Sequence, residues 1–307
     1  MQTKTAMAIP SPSTAQAASE RQGLWLMVAG GALLGTIGVF VQEAGQHPLI
    51  TVWFRCAFGA LALLVWSAAS GRLQDLRLRG KRWGIACATG CLMLLNWSMF
   101  FAAIPRTSIA VATVVFHIQP IWVILFSALF LRERVSRSQW IATPVALCGL
   151  ALTTGLLDDL ASARPASSEY VLGLLLCLGG SLSYAAVTLL AKSKQVISPF
   201  TLSFWQCAVG TLVLAWAPWV LGWPQQASAW AWLAGLGVLH TGLAYVILFA
   251  GMARLTLGKI AVLQFVYPLA AVVFDWGIYG TRLSLLQMAG VALMGAAVWT
   301  IRKPSGQ

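Results

Sequence analysis

Apolar residues run along this chain in ten stretches of about 18–25 residues, at roughly 24–42, 48–69, 83–104, 107–131, 138–157, 170–191, 199–221, 229–251, 258–280 and 283–301. Each is long enough to cross a hydrocarbon core of about 30 Å at 1.5 Å per residue. Within them polar and apolar residues do not alternate, as the strands of a membrane β-barrel require. The pattern predicts an all-α integral membrane protein of ten transmembrane helices, with short connections that make consecutive helices antiparallel neighbours. The longest connection, 158–169, "DDLASARPASSE", reads as a linker between a first unit, 23–157, and a second, 170–302. Residues 1–22 are rich in Ala, Ser, Thr and Pro and lack the apolar core of a signal peptide, which predicts a disordered cytoplasmic tail. Residues 303–307 form a second short tail.

Composition agrees with the pattern. Of 307 residues, 59% are apolar and 9% charged. Mean hydropathy is +0.80. The net charge of +12 is not a nucleic-acid surface, because the Lys and Arg sit in short connections rather than on a polar domain. Sixteen of the 20 lie on the N-terminal side of the predicted membrane, three on the opposite side and one, Arg55, inside a span. The positive-inside rule then places both termini in the cytoplasm, and the expected location is the plasma (cell inner) membrane. The six cysteines all fall within apolar stretches, where Cys behaves as a small hydrophobe. Cys87 and Cys91 are one turn apart but have no accompanying His, so no metal site and no cofactor is predicted.

The chain also repeats itself. "PLITVWFRCAFGALALL" (48–64) lies over "PFTLSFWQCAVGTLVLA" (199–215), and "GGALL" (30–34) over "GGSLS" (179–183). At an offset of 148, Phe101 meets Phe249, Pro120 meets Pro268, Arg134 meets Arg282 and Gln139 meets Gln287. Each copy holds five spans. Five is odd, so the second copy enters the membrane inverted relative to the first. Inverted repeats are an architecture of secondary transporters, with the substrate site near the midplane between the copies. The expected fold is two inverted five-helix repeats around a central cavity.

With its mid-helix prolines and the stretch "LFLRERVSRSQWIATPVALCGLAL" (129–152), in which Glu133, Gln139 and the small residues Ala142, Ala146 and Gly149 carry the match, the chain resembles the EamA-domain transporters of the drug/metabolite transporter superfamily. The second copy keeps Gln287 and Gly290 but has Thr281 in place of the glutamate. The wealth of Trp and the overall layout resemble the YddG-type aromatic amino-acid exporters. The resemblance implies a secondary transporter exporting small metabolites, amino acids foremost, by alternating access.

Polar and aromatic groups at mid-span are the candidate cavity lining: Asn96, Trp97 and Phe101 on helix three, Thr113 and His117 on helix four, Tyr184 on helix six, His240 and Tyr245 on helix eight, and Gln264 and Tyr267 on helix nine. Ionisable groups at this depth usually face the bundle interior or water. Each histidine is read either as a neutral ring bonded to a neighbouring helix or as a polar contact in the cavity. Pro120 and Pro268 free carbonyls near Phe116 and Gln264, which allows a bend or a contact to substrate. Arg55 and Asp275 are charges inside spans, read as gating candidates that either pair with each other or snorkel outward. Gly31 and Gly35 on helix one permit close packing against the other half. The rival reading is an intramembrane enzyme built on His117 and His240. It lacks a nucleophile held beside a base. Predicted partners are a small-molecule substrate and the bilayer, in a monomer or homodimer.

Overall fold

The computed structural model describes residues 14–107, 109–133, 135–154, 156, 167–192, 197–280 and 283–300. Among these there are helices and turns and no strand. The helices are α1 (Thr14–Gly35), α2 (Ile37–Ala44), α3 (Pro48–Ala69), α4 (Lys81–Ala103), α5 (Ile109–Phe116), α6 (Gln119–Phe130), α7 (Arg137–Thr153), α8 (Ser168–Ala191), α9 (Pro199–Val213), α10 (Ala217–Leu221), α11 (Ala227–Gly235), α12 (Ala244–Met252), α13 (Leu257–Leu263), α14 (Val266–Tyr279) and α15 (Leu285–Thr300). A π-helical segment, Leu236–Leu243, joins α11 to α12.

Seven stretches are long and apolar enough to cross a membrane: Gln16–Ala44, Pro48–Ala69, Lys81–Arg106, Val111–Phe130, Ser168–Ala191, Ala227–Met252 and Leu257–Tyr279. The helices α7, α9 and α15, where the sequence pattern places spans five, seven and ten, are shorter, at 17, 15 and 16 residues. A turn at 214–216 separates α9 from α10.

Part of the tail expected over 1–22 is helical. The helix begins at Thr14, because "TAQAASERQ" is a run of good helix formers free of Pro and Gly, and Glu20 on it forms an ion pair with the buried Lys259. Residues 1–13, the linker core 157–166 and the 301–307 tail lie outside the described residues.

Most helix contacts join the two halves. The helix α1 packs on α12 and α14, and α8 packs on α4, α5 and α6. The helix α3 packs on α9 and on the π segment, α6 on α13, and α7 on α15. Glycines allow these approaches, and they repeat in register. A Cβ at Gly23 would meet Arg254 Cβ and the Gly251 carbonyl, while one at Gly173 would meet Arg106 Cβ and the Ala103 carbonyl. A Cβ at Gly30 would sit 3.4 Å from the Ala244 carbonyl, and one at Gly180 3.3 Å from that of Asn96. These equivalences pair Gly30 with Gly180. The overlay of "GGALL" on "GGSLS", which pairs Gly30 with Gly179, is therefore one residue out of register. Apolar helices tolerate such slips in sequence, whereas close backbone contact does not.

Gln139 and Gln287 coincide for a local reason. Each is the third residue of its helix and closes a capping box, Ser136 with Gln139 and Ser284 with Gln287. Gly31 and Gly35 face Val266 and Ala270 of the other half, as the close-packing expectation requires.

At one end of the bundle, Glu20 meets Lys259, the Arg254 side chain donates to Gln22 Oε1 at 3.2 Å, and Lys192 Nζ donates to the Met252 carbonyl at 3.2 Å. Glu133 Oε2 accepts from the Leu257 N–H at 3.0 Å there, at the start of α13. At the other end Arg106 pairs with Glu169 at 3.0 Å and Tyr279 donates to Glu43 at 3.3 Å.

Candidate functional site

Each proline follows a two-residue turn that interrupts its helix, with Ile118, Gln264 and Phe265 still in the right-handed helical region. α5 ends at Phe116 and α6 opens at Gln119 with Pro120 in its first turn, and α13 ends at Leu263 before α14 opens at Val266. At the first break His117 turns back. Its Nδ1 donates to the Thr113 carbonyl at 2.7 Å, because a carbonyl can only accept, which leaves Nε2 free of that bond. The ring stacks near Tyr267, 6.1 Å between centroids, and lies 6.4 Å from Phe265 at the second break.

Arg55 on α3 is 6% exposed. Its Nε–H donates to Thr241 Oγ1 at 3.0 Å. Its guanidinium carbon lies 4.3 Å from the centre of the Trp97 ring, a cation–π contact. The Thr241 hydroxyl donates in turn to the Leu236 carbonyl at 3.1 Å, five residues earlier. That spacing is available because the backbone is π-helical there, an irregularity frequent at functional sites. Tyr184, Tyr245, Tyr267 and His240 all lie within electrostatic reach of Arg55. Arg55, Trp97, the three tyrosines and, through Tyr267, His117 thus converge from α3, α4, α8, α12 and α14, with the α5–α6 break.

Other candidates are placed differently. Asn96 is buried and spends its amide on the Gly180 carbonyl at 2.9 Å, where α8 crosses α4. It is a packing bond rather than a cavity group. His240 is fully buried and shares a 2.7 Å hydrogen bond with Thr36, against the Phe40 ring at 4.5 Å. The π segment turns its ring toward the first span while Thr241 faces Arg55, so the Nε2 of His240 serves as an interhelical link. Gln264 donates to Thr188 Oγ1 at 3.4 Å. The side chain of Phe101 lies outside the described residues. Arg55 and Asp275 are not a pair, since Arg55 points inward to Thr241 while Asp275 sits on the exposed C-terminal half of α14.

Thr241 escaped the sequence reading because Thr is unremarkable in a membrane helix and the π irregularity has no local sequence signature. The wealth of Trp also had another meaning. Trp25, Trp66, Trp83, Trp140, Trp216, Trp219, Trp223, Trp230, Trp276 and Trp299 are exposed. Apart from Trp25, at the middle of α1, they stand toward helix ends or in the turns between helices, where amphipathic rings suit a membrane–water interface.

A helical bundle whose halves interlock in register, with broken helices and a buried polar cluster between them, is a membrane transporter architecture. The profile of the EamA-like transporter family matches residues 21–155 and again 171–302, and the chain belongs to that family. It is a multi-pass transporter of small solutes of the drug/metabolite transporter superfamily, not an enzyme. It is 29% identical over 279 residues to an uncharacterized transporter of Archaeoglobus fulgidus, covering 91% of this chain and 95% of the other. It is 27% identical to the uncharacterized transporter YxxF of Bacillus subtilis, covering 90% and 89%. The pseudopaline exporter CntI of Pseudomonas aeruginosa is 25% identical over 90% of this chain and 94% of its own length. A solved crystal structure with 18% sequence identity superposes with a TM-score of 0.78, covering 91% of this chain and 97% of that one, and so shares the fold.

Proposed function

We propose that the chain exports small metabolites, amino acids foremost and aromatic ones among them, by alternating access between two inverted five-helix repeats. The observation that carries this reading is the convergence of Trp97, Tyr184, Tyr245, Tyr267 and the free Nε2 side of His117 on the interface of the halves, beside both helix breaks. Aromatic faces suit a flat apolar side chain, and an imidazole lone pair suits an ammonium. The similarity to an exporter supports the direction. Ten spans, units of 23–157 and 170–302, both termini in the cytoplasm and a place in the cell inner membrane complete the reading. It is supported by the Lys and Arg asymmetry and by the contacts that tie Glu20, Lys192, Arg254 and Lys259 to one end.

The test is uptake of labelled amino acids into proteoliposomes holding the purified protein, with and without a pH gradient. Movement of L-phenylalanine or L-tryptophan above empty vesicles is the expected result. If no amino acid moved under any gradient, the amino-acid reading would fall and another solute class would take its place.

A further inference from the structure

An arginine 94% removed from solvent inside a membrane protein is costly unless its charge and donors are met. Arg55 meets only part of that need. No carboxylate lies within 4 Å of it among the described residues, and of its five donors one, Nε–H, is taken, by Thr241. No hydrogen bond joins its four Nη donors to a described residue, and neither Nη is among the fully enclosed side-chain atoms left without a partner. The group is nonetheless rigidly held. Trp97 covers one face, and Thr241 is itself fixed by its bond to Leu236. The corresponding position in the second half is Gln206, uncharged and buried, so the positive charge is confined to one side of the interface.

We propose that Arg55 is the carboxylate-binding group of the transport path, oriented by Thr241 and Trp97, and that the solutes carried are small organic carboxylates. A planar fork held by its Nε and one face presents its Nη pair to both oxygens of a carboxylate at once, which an ammonium cannot do. The inference rests on the transporter reading above and narrows it, since an amino acid would enter with its carboxylate on Arg55 and its side chain among the rings.

The experiment uses the full-length protein in detergent and in proteoliposomes. Three probes separate the groups of an aromatic amino acid: 3-phenylpropionate carries the carboxylate alone, phenethylamine the amine alone, and L-phenylalanine both. Clearly stronger thermal protection by 3-phenylpropionate than by phenethylamine is expected for the unmodified protein. Arg55→Gln should weaken protection by 3-phenylpropionate about 10- to 100-fold, the range for a charged hydrogen-bonded contact, and Arg55→Lys should restore only part of it. Thr241→Val should raise the KM for L-phenylalanine several-fold with little change in maximal rate, which a purely structural role would not do. Equal protection of the unmodified protein by the amine, no protection by the carboxylate, or unchanged affinity in Arg55→Gln would each overturn the proposal. If Arg55→Gln does not fold, the acid-against-amine comparison and Thr241→Val decide. Carboxylate binding that follows Arg55 while no amino acid is transported would sink the amino-acid reading and leave this one standing.

Discussion

Cys56 and Cys207 sit on opposite sides of the α3–α9 crossing, each thiol against a glycine of the other helix. A Cβ added to Gly210 would lie 2.5 Å from Cys56 Sγ, and one added to Gly59 would lie 3.2 Å from Cys207 Sγ. The four residues are equivalent in pairs by the internal repeat, so one small-against-thiol solution is used twice at a single crossing.

Gly210→Ala should therefore lower stability by about 1–3 kcal/mol, the usual range for overpacking a close-packed interior. Cys56→Ala in the same chain should recover most of that loss, because it vacates the space the new methyl needs. Thermal unfolding in detergent of the two single variants and the double variant measures it. A double variant no better than Gly210→Ala would place the strain elsewhere.

At the end of the bundle that holds both α1's start and α13's start, Glu133 Oε2 accepts from the Leu257 N–H, one of the orphan donors of α13. Loss of a cap of this kind costs about 0.5–2 kcal/mol. Glu133→Ala is expected to unfold earlier by that amount, with Glu133→Gln intermediate because an amide oxygen still accepts but carries no charge toward the helix dipole. Identical melting of all three proteins would argue that the bond does not form in solution.

Lys192, beyond the end of α8, is held below its ordinary value of 10.5 by burial, against the pull of Glu133. The folded state then releases this proton before the unfolded state does. Just below 10.5 the unfolded chain binds more protons, so stability rises with pH there. Lys192→Met should flatten that rise when unfolding is followed across the alkaline range. An unchanged slope would assign the rise to other groups.

Thiol labelling offers a check that needs no substrate. Cys91 and Cys148 are exposed at the bundle surface, while Cys56, Cys177 and Cys207 are buried. A small maleimide applied in detergent should modify Cys91 and Cys148 first, and the buried three only on denaturation. Early labelling of Cys207, identified by peptide mass, would mean that the α3–α9 crossing opens in the native state.

Much of this was legible in the chain because a membrane leaves few options. Apolar run length marks helices, and the matched prolines marked both breaks. The offset between copies was legible to within one residue, since Gly, Pro, Cys and Gln at contacts are constrained while the Leu and Ala between them are not. Side-chain direction was not legible. Asn96 and His240 share depth and polarity with the groups at the centre, and only the helix crossing at Gly180 and the π segment turn them elsewhere. Arg55 was visible as a charge inside a span, for which the sequence offered either a pair with Asp275 or outward snorkelling. The structure supplies a hydroxyl and an indole instead.

The exchange of α1 and α8 between the halves bears on how the chain is made. On leaving the ribosome α1 has, beyond its own continuation α2, no main packing partner among the helices that follow it at once; α12 and α14 come some two hundred residues later. The α8 helix finds α4, α5 and α6 already synthesised. The first half therefore waits in the bilayer with one helix unplaced, and the bundle closes only as the last third of the chain arrives. Two separately expressed halves should each be unstable alone and assemble when made together, behaving less as two domains than as two chains of one obligate dimer that share a single reading frame.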